Sequence, residues 1–178
     1  MESPHDARVV GHRFVPFTQF FDAAGDGSGS TDMAVDGSGT AVSFKVTAQA
    51  GEIIRIERIV MLVYDDTETF EWAKFGSLAA LTNGLRLRLR GGSDIDLHGD
   101  ARIKTFADLI CRGFDAVNPS FVATDYAVFA LDCRKAFGAP LRIDINDSAS
   151  LEWEVKDAMD GLDAFQSYAT GFLESSVY

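Results

Sequence analysis

One segment, Glu52–Tyr64, constrains the fold of this chain more than any other. Its thirteen residues, EIIRIERIVMLVY, alternate largely in steps of two, which is typical of a half-buried β-strand. The alternation changes phase in the middle, because Ile54 and Ile56 share one face whereas Ile59 continues on the other. A β-bulge at Glu57-Arg58 would add one residue and return these side chains to a single buried face. We therefore predict a long, bent strand that wraps around a core.

Shorter alternating segments follow this pattern along the rest of the chain. They are 42–47, 85–90, 94–98, 125–133, 141–145, 151–155 and 164–173. One helix is also predicted, because Thr105 and Asp108 form a capping box and Gly113 is a stop signal. Its apolar face consists of Phe106, Leu109 and Ile110. We predict an all-β chain: an antiparallel β-sandwich of jelly-roll type, with seven to nine strands and one or two short helices in connections.

A hairpin is predicted where Leu85–Arg90 alternates leucine with arginine and Gly91-Gly92-Ser93 follows. A three-residue loop matches the apolar faces, whereas a two-residue loop sets Leu89 opposite Asp94. The register that results pairs Leu89 with Ile95, Leu87 with Leu97, Arg90 with Asp94, and Arg88 with Asp96. We therefore interpret the arginines as partners in cross-strand ion pairs, and not as a specific anion site.

The N-terminal part of the chain differs in composition, and we divide the chain into residues 1–32 and a sandwich domain of residues 33–178. Residues 1–32 hold an aromatic segment and then a Gly/Ser/Asp-rich linker. Pro16 prevents a regular helix there. Two interpretations stay open, since the segment is either the first strand of its own sandwich or an arm that docks on a neighbouring subunit. The candidate contact residues are Phe14, Phe17, Phe20 and Phe21.

Size and charge exclude several classes of function. The 178 residues suffice for one core, and 27 acidic against 16 basic side chains give a net charge of −11. Such a balance argues against binding nucleic acid or anionic membranes. No signal peptide and no apolar run long enough to span a bilayer is evident. Cys111 and Cys133 are expected to be free, buried thiols.

No arrangement of residues predicts catalysis or a cofactor. Asp26 and Asp32 lie at spacings found in calcium loops, but the positions that confer specificity hold Gly37 and Thr31. His98 is the obvious candidate for a general base, yet no nucleophile turn accompanies it. We therefore expect no enzyme activity, no catalytic residue, no cofactor-binding residue and no metal ligand.

The order of features resembles small structural proteins of tailed-bacteriophage virions. The resemblance is carried by a Phe-Phe-Asp start, the glycine- and serine-rich stretch, and the segments Met33–Ser38, Gly51–Ile59, Leu81–Leu85 and Asp160–Leu162. It implies a β-sandwich without enzymatic activity that decorates or cements the capsid, or serves at the neck, tail or baseplate. It also implies, as partners, other virion proteins such as the major capsid protein and copies of the chain itself, in a trimer. The expected location is the virion, after synthesis in the host cytoplasm.

The competing class is a jelly-roll module that binds a glycan or receptor. Such a module needs an exposed aromatic platform, for which the candidates are Trp72, Tyr64, Tyr126 and Tyr168. Trp153 is expected to lie in the core instead, because it alternates with acidic residues in the apolar phase of its strand.

Overall fold

The protein is described here from a computed structural model. The described residues are 12–22, 45–65, 71–75, 78–91, 95–99, 102–117, 126–144, 146, 149–155, 157, 162 and 164–176. Within them lie ten strands and two short helices. In chain order these are β1 (His12–Asp22), β2 (Lys45–Thr47), β3 (Glu52–Tyr64), β4 (Arg86–Arg90), β5 (Ile95–Asp96), α1 (Phe106–Cys111), β6 (Asp115–Ala116), β7 (Tyr126–Asp132), α2 (Cys133–Phe137), β8 (Leu141–Asp144), β9 (Ser150–Glu154) and β10 (Ala164–Ser176).

The strands form two antiparallel sheets that face each other across one core. Sheet A has the order β1-β10-β3-β7-β6, with β8 also paired to β3, and sheet B has the order β2-β9-β4-β5. The Nε1–H of Trp153, on β9, donates across the core to the hydroxyl of Ser167, on β10, at 3.0 Å. Both side chains are fully buried, so Trp153 belongs to the core as predicted. The all-β antiparallel sandwich is confirmed, whereas the jelly-roll order of connections stays a prediction.

The predicted bulge in β3 is confirmed. Thr170 of β10 pairs with Arg58 but Gly171 pairs with Ile56, so Glu57 is the extra residue. The bulge brings all the apolar residues of this strand's inner face into the core, namely Ile54, Ile56, Ile59, Met61 and Val63. It also divides the other edge of β3, which pairs with β8 before the bulge and with β7 after it. The carboxylate of Glu57 accepts hydrogen bonds from Arg134 of α2, the helix between those two strands.

The hairpin register is confirmed, and the structure shows further ion-pair partners for its arginines. Leu89 pairs with Ile95 and Arg88 with Asp96, as predicted. The guanidinium of Arg88 donates a hydrogen bond to Glu154 on β9, the strand on its other side, while Asp96 forms an ion pair with Arg86 at 3.4 Å. Strand β4 lies between β5 and β9, so a carboxylate on β9 competes with one on β5 for each arginine of β4. The expected partner of Arg90, Asp94, lies outside the described residues.

The helix α1 has the predicted capping box. The Thr105 hydroxyl accepts the N–H of Asp108, and the Asp108 carboxylate accepts the N–H of Thr105. The helix ends before Gly113, which has a φ of +85°. Phe106 and Leu109 are buried, but the prediction for Ile110 is wrong because this side chain is 41% exposed. A six-residue helix turns only part of its surface to the core, and Ile110 lies outside that stripe.

The two cysteines are free, but only one is buried. Cys133 is fully buried at the start of α2, whereas Cys111 is exposed at the end of α1, contrary to the prediction. Burial raises the pKa of the Cys133 thiol to about 12. A thiol reacts with alkylating reagents as the thiolate, so burial protects Cys133 both sterically and electrostatically.

We expect iodoacetamide at pH 8 to modify one thiol per folded chain, at Cys111. Mass spectrometry of the intact protein gives the number of adducts, and peptide mapping gives their position. A Cys111→Ser variant should stay unmodified over the same period, whereas Cys133→Ser should react as the natural chain does. Equal modification of both cysteines in the folded state would contradict the burial of Cys133.

Candidate interaction faces

The outer face of sheet A carries an apolar patch where solvent-facing polar side chains are the usual pattern. The patch consists of Val60, Leu62, Tyr64, Tyr126, Val128 and Tyr168, all pointing away from the core. The register joins them across three strands, since Tyr168 pairs with Val60, and Leu62 pairs with Val128. Tyr126 is 45% exposed and the other five are partly exposed. Contiguous apolar surface of this kind is typical of an interaction site.

The patch was missed by the sequence analysis, although a signal for it exists. Residues 59–64 are apolar without interruption, and a strand with one wet face alternates instead. The sequence predicts that Ile59 lies on the buried face, which the structure confirms, and Met61 and Val63 lie on the same face. The residues between them, Val60 and Leu62, received no role.

The strand that holds the N-terminal candidates borders this patch at one end only. Strand β1 pairs with β10 of the same chain, at the end of sheet A. Of the four predicted contact phenylalanines, Phe17 packs partly buried against the core, and the side chains of Phe14, Phe20 and Phe21 lie outside the described set. The backbone register sets Phe20 opposite Tyr168 of the patch. The role of these four residues in a subunit contact stays a prediction, and the domain boundary at residue 32 lies outside the described residues.

Three of the four residues proposed for an aromatic platform lie on this same face. Tyr64 and Tyr126 are direct cross-strand neighbours, and Tyr168 lies on β10, the next strand on the other side of β3. Trp72 is 44% exposed, but it belongs to a turn between β3 and β4 and is not part of sheet A. The tyrosines therefore form a group that spacing along the chain did not reveal.

The outer face of sheet B is charged instead of apolar. One row crosses all four strands with alternating sign, from Lys45 through Glu152 and Arg88 to Asp96. Glu152 bonds Lys45 at 3.1 Å and Arg90 at 2.9 Å. Glu154 bonds Arg88 at 2.5 Å and lies 3.6 Å from both Arg90 and Arg102.

The two glutamates lie beneath the cations of this face. Glu152 is 7% and Glu154 is 4% exposed, although both point away from the core. Burial alone raises the pKa of Glu152, but hydrogen bonds from Lys45, Arg90 and Ser150 outweigh it and hold this pKa below its usual value. The surrounding bases thus favour the charged form of the Glu152 carboxylate.

His98 is held between aromatic rings where sheet B approaches α2. The centroid of its ring lies 5.9 Å from the ring centroid of Phe114 and 6.0 Å from that of Phe137. Burial, aided by the positive charge of Arg112, lowers the pKa of His98 below the ordinary 6.5, against the opposing effect of Asp96. Its Nε2 is buried without a hydrogen-bond partner among the described residues. Near neutral pH this arrangement favours a neutral imidazole with a structural role.

We expect the free energy of unfolding to fall as the pH drops below about 6.5. Below this pH His98 is protonated in the unfolded chain but still neutral in the folded protein, because its pKa is lower there. The slope from this group is at most about 1.4 kcal/mol per pH unit. Urea unfolding between pH 8 and 5.5 measures it, and a His98→Gln variant should lose that part of the slope. Parallel pH profiles for the two proteins would contradict the shift.

No group of three or more metal-ligating side chains occurs in the described part of the chain. The segment Asp26–Asp32 lies outside it. The structure thus has two outer faces of contrasting chemistry, an apolar one on sheet A and a charged one on sheet B. His98, the candidate for a general base, lies among aromatic side chains.

The described residues include no helix that is long and apolar enough to cross a membrane. Comparisons of the chain with models of protein families, with curated proteins and with solved structures found no match.

Proposed function

We propose that this protein is a non-enzymatic structural subunit of a tailed-bacteriophage virion, and that it decorates or cements the capsid. The observation that carries the proposal is the apolar patch on the outer face of sheet A. Each partly exposed side chain there gains free energy by leaving water, and burying a fully exposed leucine or valine is worth about 1.5–3 kcal/mol. A partner surface that covers the patch recovers this free energy.

The resemblance to small virion proteins supplies the partners. These are the major capsid protein and further copies of this chain, arranged as a trimer. A subunit that binds by a sheet face adds a layer to a particle without inserting into its lattice. A position at the neck, tail or baseplate uses the same face with another partner.

The test is incorporation into particles. Virions purified from lysed host cells should contain the chain in a fixed ratio to the major capsid protein, measured by quantitative mass spectrometry. Leu62→Lys sets a charge in the patch and should lower incorporation more than ten-fold, because burying an unpaired charge costs several kcal/mol. Ala139→Lys is the matched control, since it adds the same charge at an exposed residue outside both faces. Absence of the natural chain from virions would contradict the proposal.

A second candidate function is supported by the tyrosines. Tyr64 and Tyr126 lie side by side with Tyr168 nearby, so this face offers aromatic rings to a sugar. If the protein is a glycan-binding module, a glycan array gives a specific signal that Tyr126→Ala removes, and the chain is not held in particles by Leu62. The two functions thus differ in the effect of these two substitutions.

A further inference from the structure

We propose that the outer face of sheet B is a docking surface for an acidic polypeptide segment. This face lies on the opposite sheet from the apolar patch, and the inference stands independently of the proposed function. It begins from the distribution of charge. In the described part of the chain, the cations in the ion pairs of this face are Lys45, Arg86, Arg88, Arg90 and Arg102, and their carboxylate partners are Asp96, Glu152 and Glu154.

Among the residues that the structure describes, this face carries five cations and three carboxylates, a sum of +2, whereas the whole chain has a net charge of −11, so all other residues of the chain sum to −13. Charges on a surface are felt only within about 8 Å at physiological salt. A partner at contact distance therefore meets the local positive charge of this face and is little affected by the net charge of the chain.

The layering of the side chains adds to this local charge. The side chain of Lys45 is 55% exposed and that of Arg90 is 35% exposed, while those of Glu152 and Glu154 are only 9% and 5% exposed. Solvent or a partner therefore meets ammonium and guanidinium groups first, with the carboxylates beneath them.

The spacing of the arginines suits carboxylates on an extended chain. Arg86, Arg88 and Arg90 recur every second residue on one face of β4, a repeat of about 6.8 Å. Glu152 and Glu154 on β9 have the same repeat, and they bond Arg90 and Arg88 at 2.9 and 2.5 Å. The glutamates of β9 thus show that carboxylates spaced along an extended strand match the arginines of β4. An acidic partner segment would present carboxylates with the same spacing.

The experiment uses a fluorescein-labelled octaglutamate peptide and the full chain, with binding followed by fluorescence anisotropy at 150 mM salt. We expect a dissociation constant below about 1 mM, and weaker binding at 300 mM salt. Lys45→Gln should weaken binding about three-fold, the value of one exposed ion pair. Thr47→Glu adds a negative charge on β2 without removing an ion pair, and should weaken it as well.

The matched control is Lys135→Gln on α2. Lys135 has an exposed side chain (67%) and pairs with Asp115 at 2.9 Å, so it resembles Lys45 in charge, exposure and pairing, but its helix packs on sheet A. Equal effects of the two glutamine variants would overturn the proposal, as would no binding of octaglutamate. A labelled octathymidylate bound as tightly, with the same dependence on Lys45, would overturn the polypeptide class and indicate a general polyanion surface. Thermal melting of each variant shows that the fold is kept.

Discussion

Replacing Gly171 with alanine is expected to destabilise the protein by at least about 3 kcal/mol, because the added methyl group has no space. A Cβ built on Gly171 lies 1.9 Å from the carbonyl oxygen of Arg55 and 3.0 Å from the amide nitrogen of Glu57. Both are backbone atoms of β3 at its bulge. Relieving the clash therefore requires the two longest neighbouring strands of sheet A to separate where their register shifts.

Thermal melting and urea unfolding measure this effect, which corresponds to a fall in melting temperature of about 10 °C. Gly51→Ala is the matched control. Gly51 has a φ of +84° but nothing within 4 Å of its built Cβ, so this variant bears backbone strain without a clash and should lose only about 1 kcal/mol. A Gly171→Ala protein as stable as the natural one would show that β3 and β10 do not meet as described.

Removing the carboxylate of Asp157 is expected to produce the second large loss, about 3 kcal/mol. This carboxylate accepts backbone N–H groups from Thr82, Asn83 and Gly84 at distances from 2.7 to 3.1 Å. It thereby holds the turn that leads into β4. Asp157→Ala leaves the buried N–H of Gly84 without its partner, which is more costly than losing an exposed hydrogen bond.

Urea unfolding of three variants distinguishes the loss of buried acceptor oxygens from the loss of a carboxylate as such. Asp157→Asn keeps one acceptor oxygen and should lie between the natural protein and Asp157→Ala. Asp115→Ala removes a carboxylate that is 64% exposed and paired only with Lys135 among the described residues, and it should have little effect. If Asp157→Ala were no more destabilising than Asp115→Ala, the turn would be stable without this carboxylate.

Whether the sequence predicted a feature depends on how far apart along the chain its interacting residues lie. The strand Glu52–Tyr64, its bulge and the capping box of α1 were predicted because their signals lie within a few neighbouring residues. The register of the β4–β5 hairpin was predicted for the same reason, since a short loop links the two strands. Helix α2 was not predicted, because five residues directly after a strand offer too short a periodic pattern.

The candidate faces depended on partners distant in sequence. The ion pair of Arg88 with Glu154 joins residues 66 positions apart, and the hairpin alone suggested another partner. Asp157 reaches Gly84 across 73 positions, and no motif marks it. The exposure of Ile110 and Cys111 likewise depends on which side of a short helix meets the core.

By itself, the sequence determined the all-β class, the position of the strand Glu52–Tyr64 and the absence of alternation in residues 59–64. Those properties arise from side-chain periodicity, which acts along the chain. Only the tertiary structure decided that Val60, Leu62 and three tyrosines share one outer face, and that the glutamates of β9 lie beneath the bases of sheet B. The physical reason is that strand order in a sheet is set by packing across the core, and packing selects neighbours that are far apart in sequence.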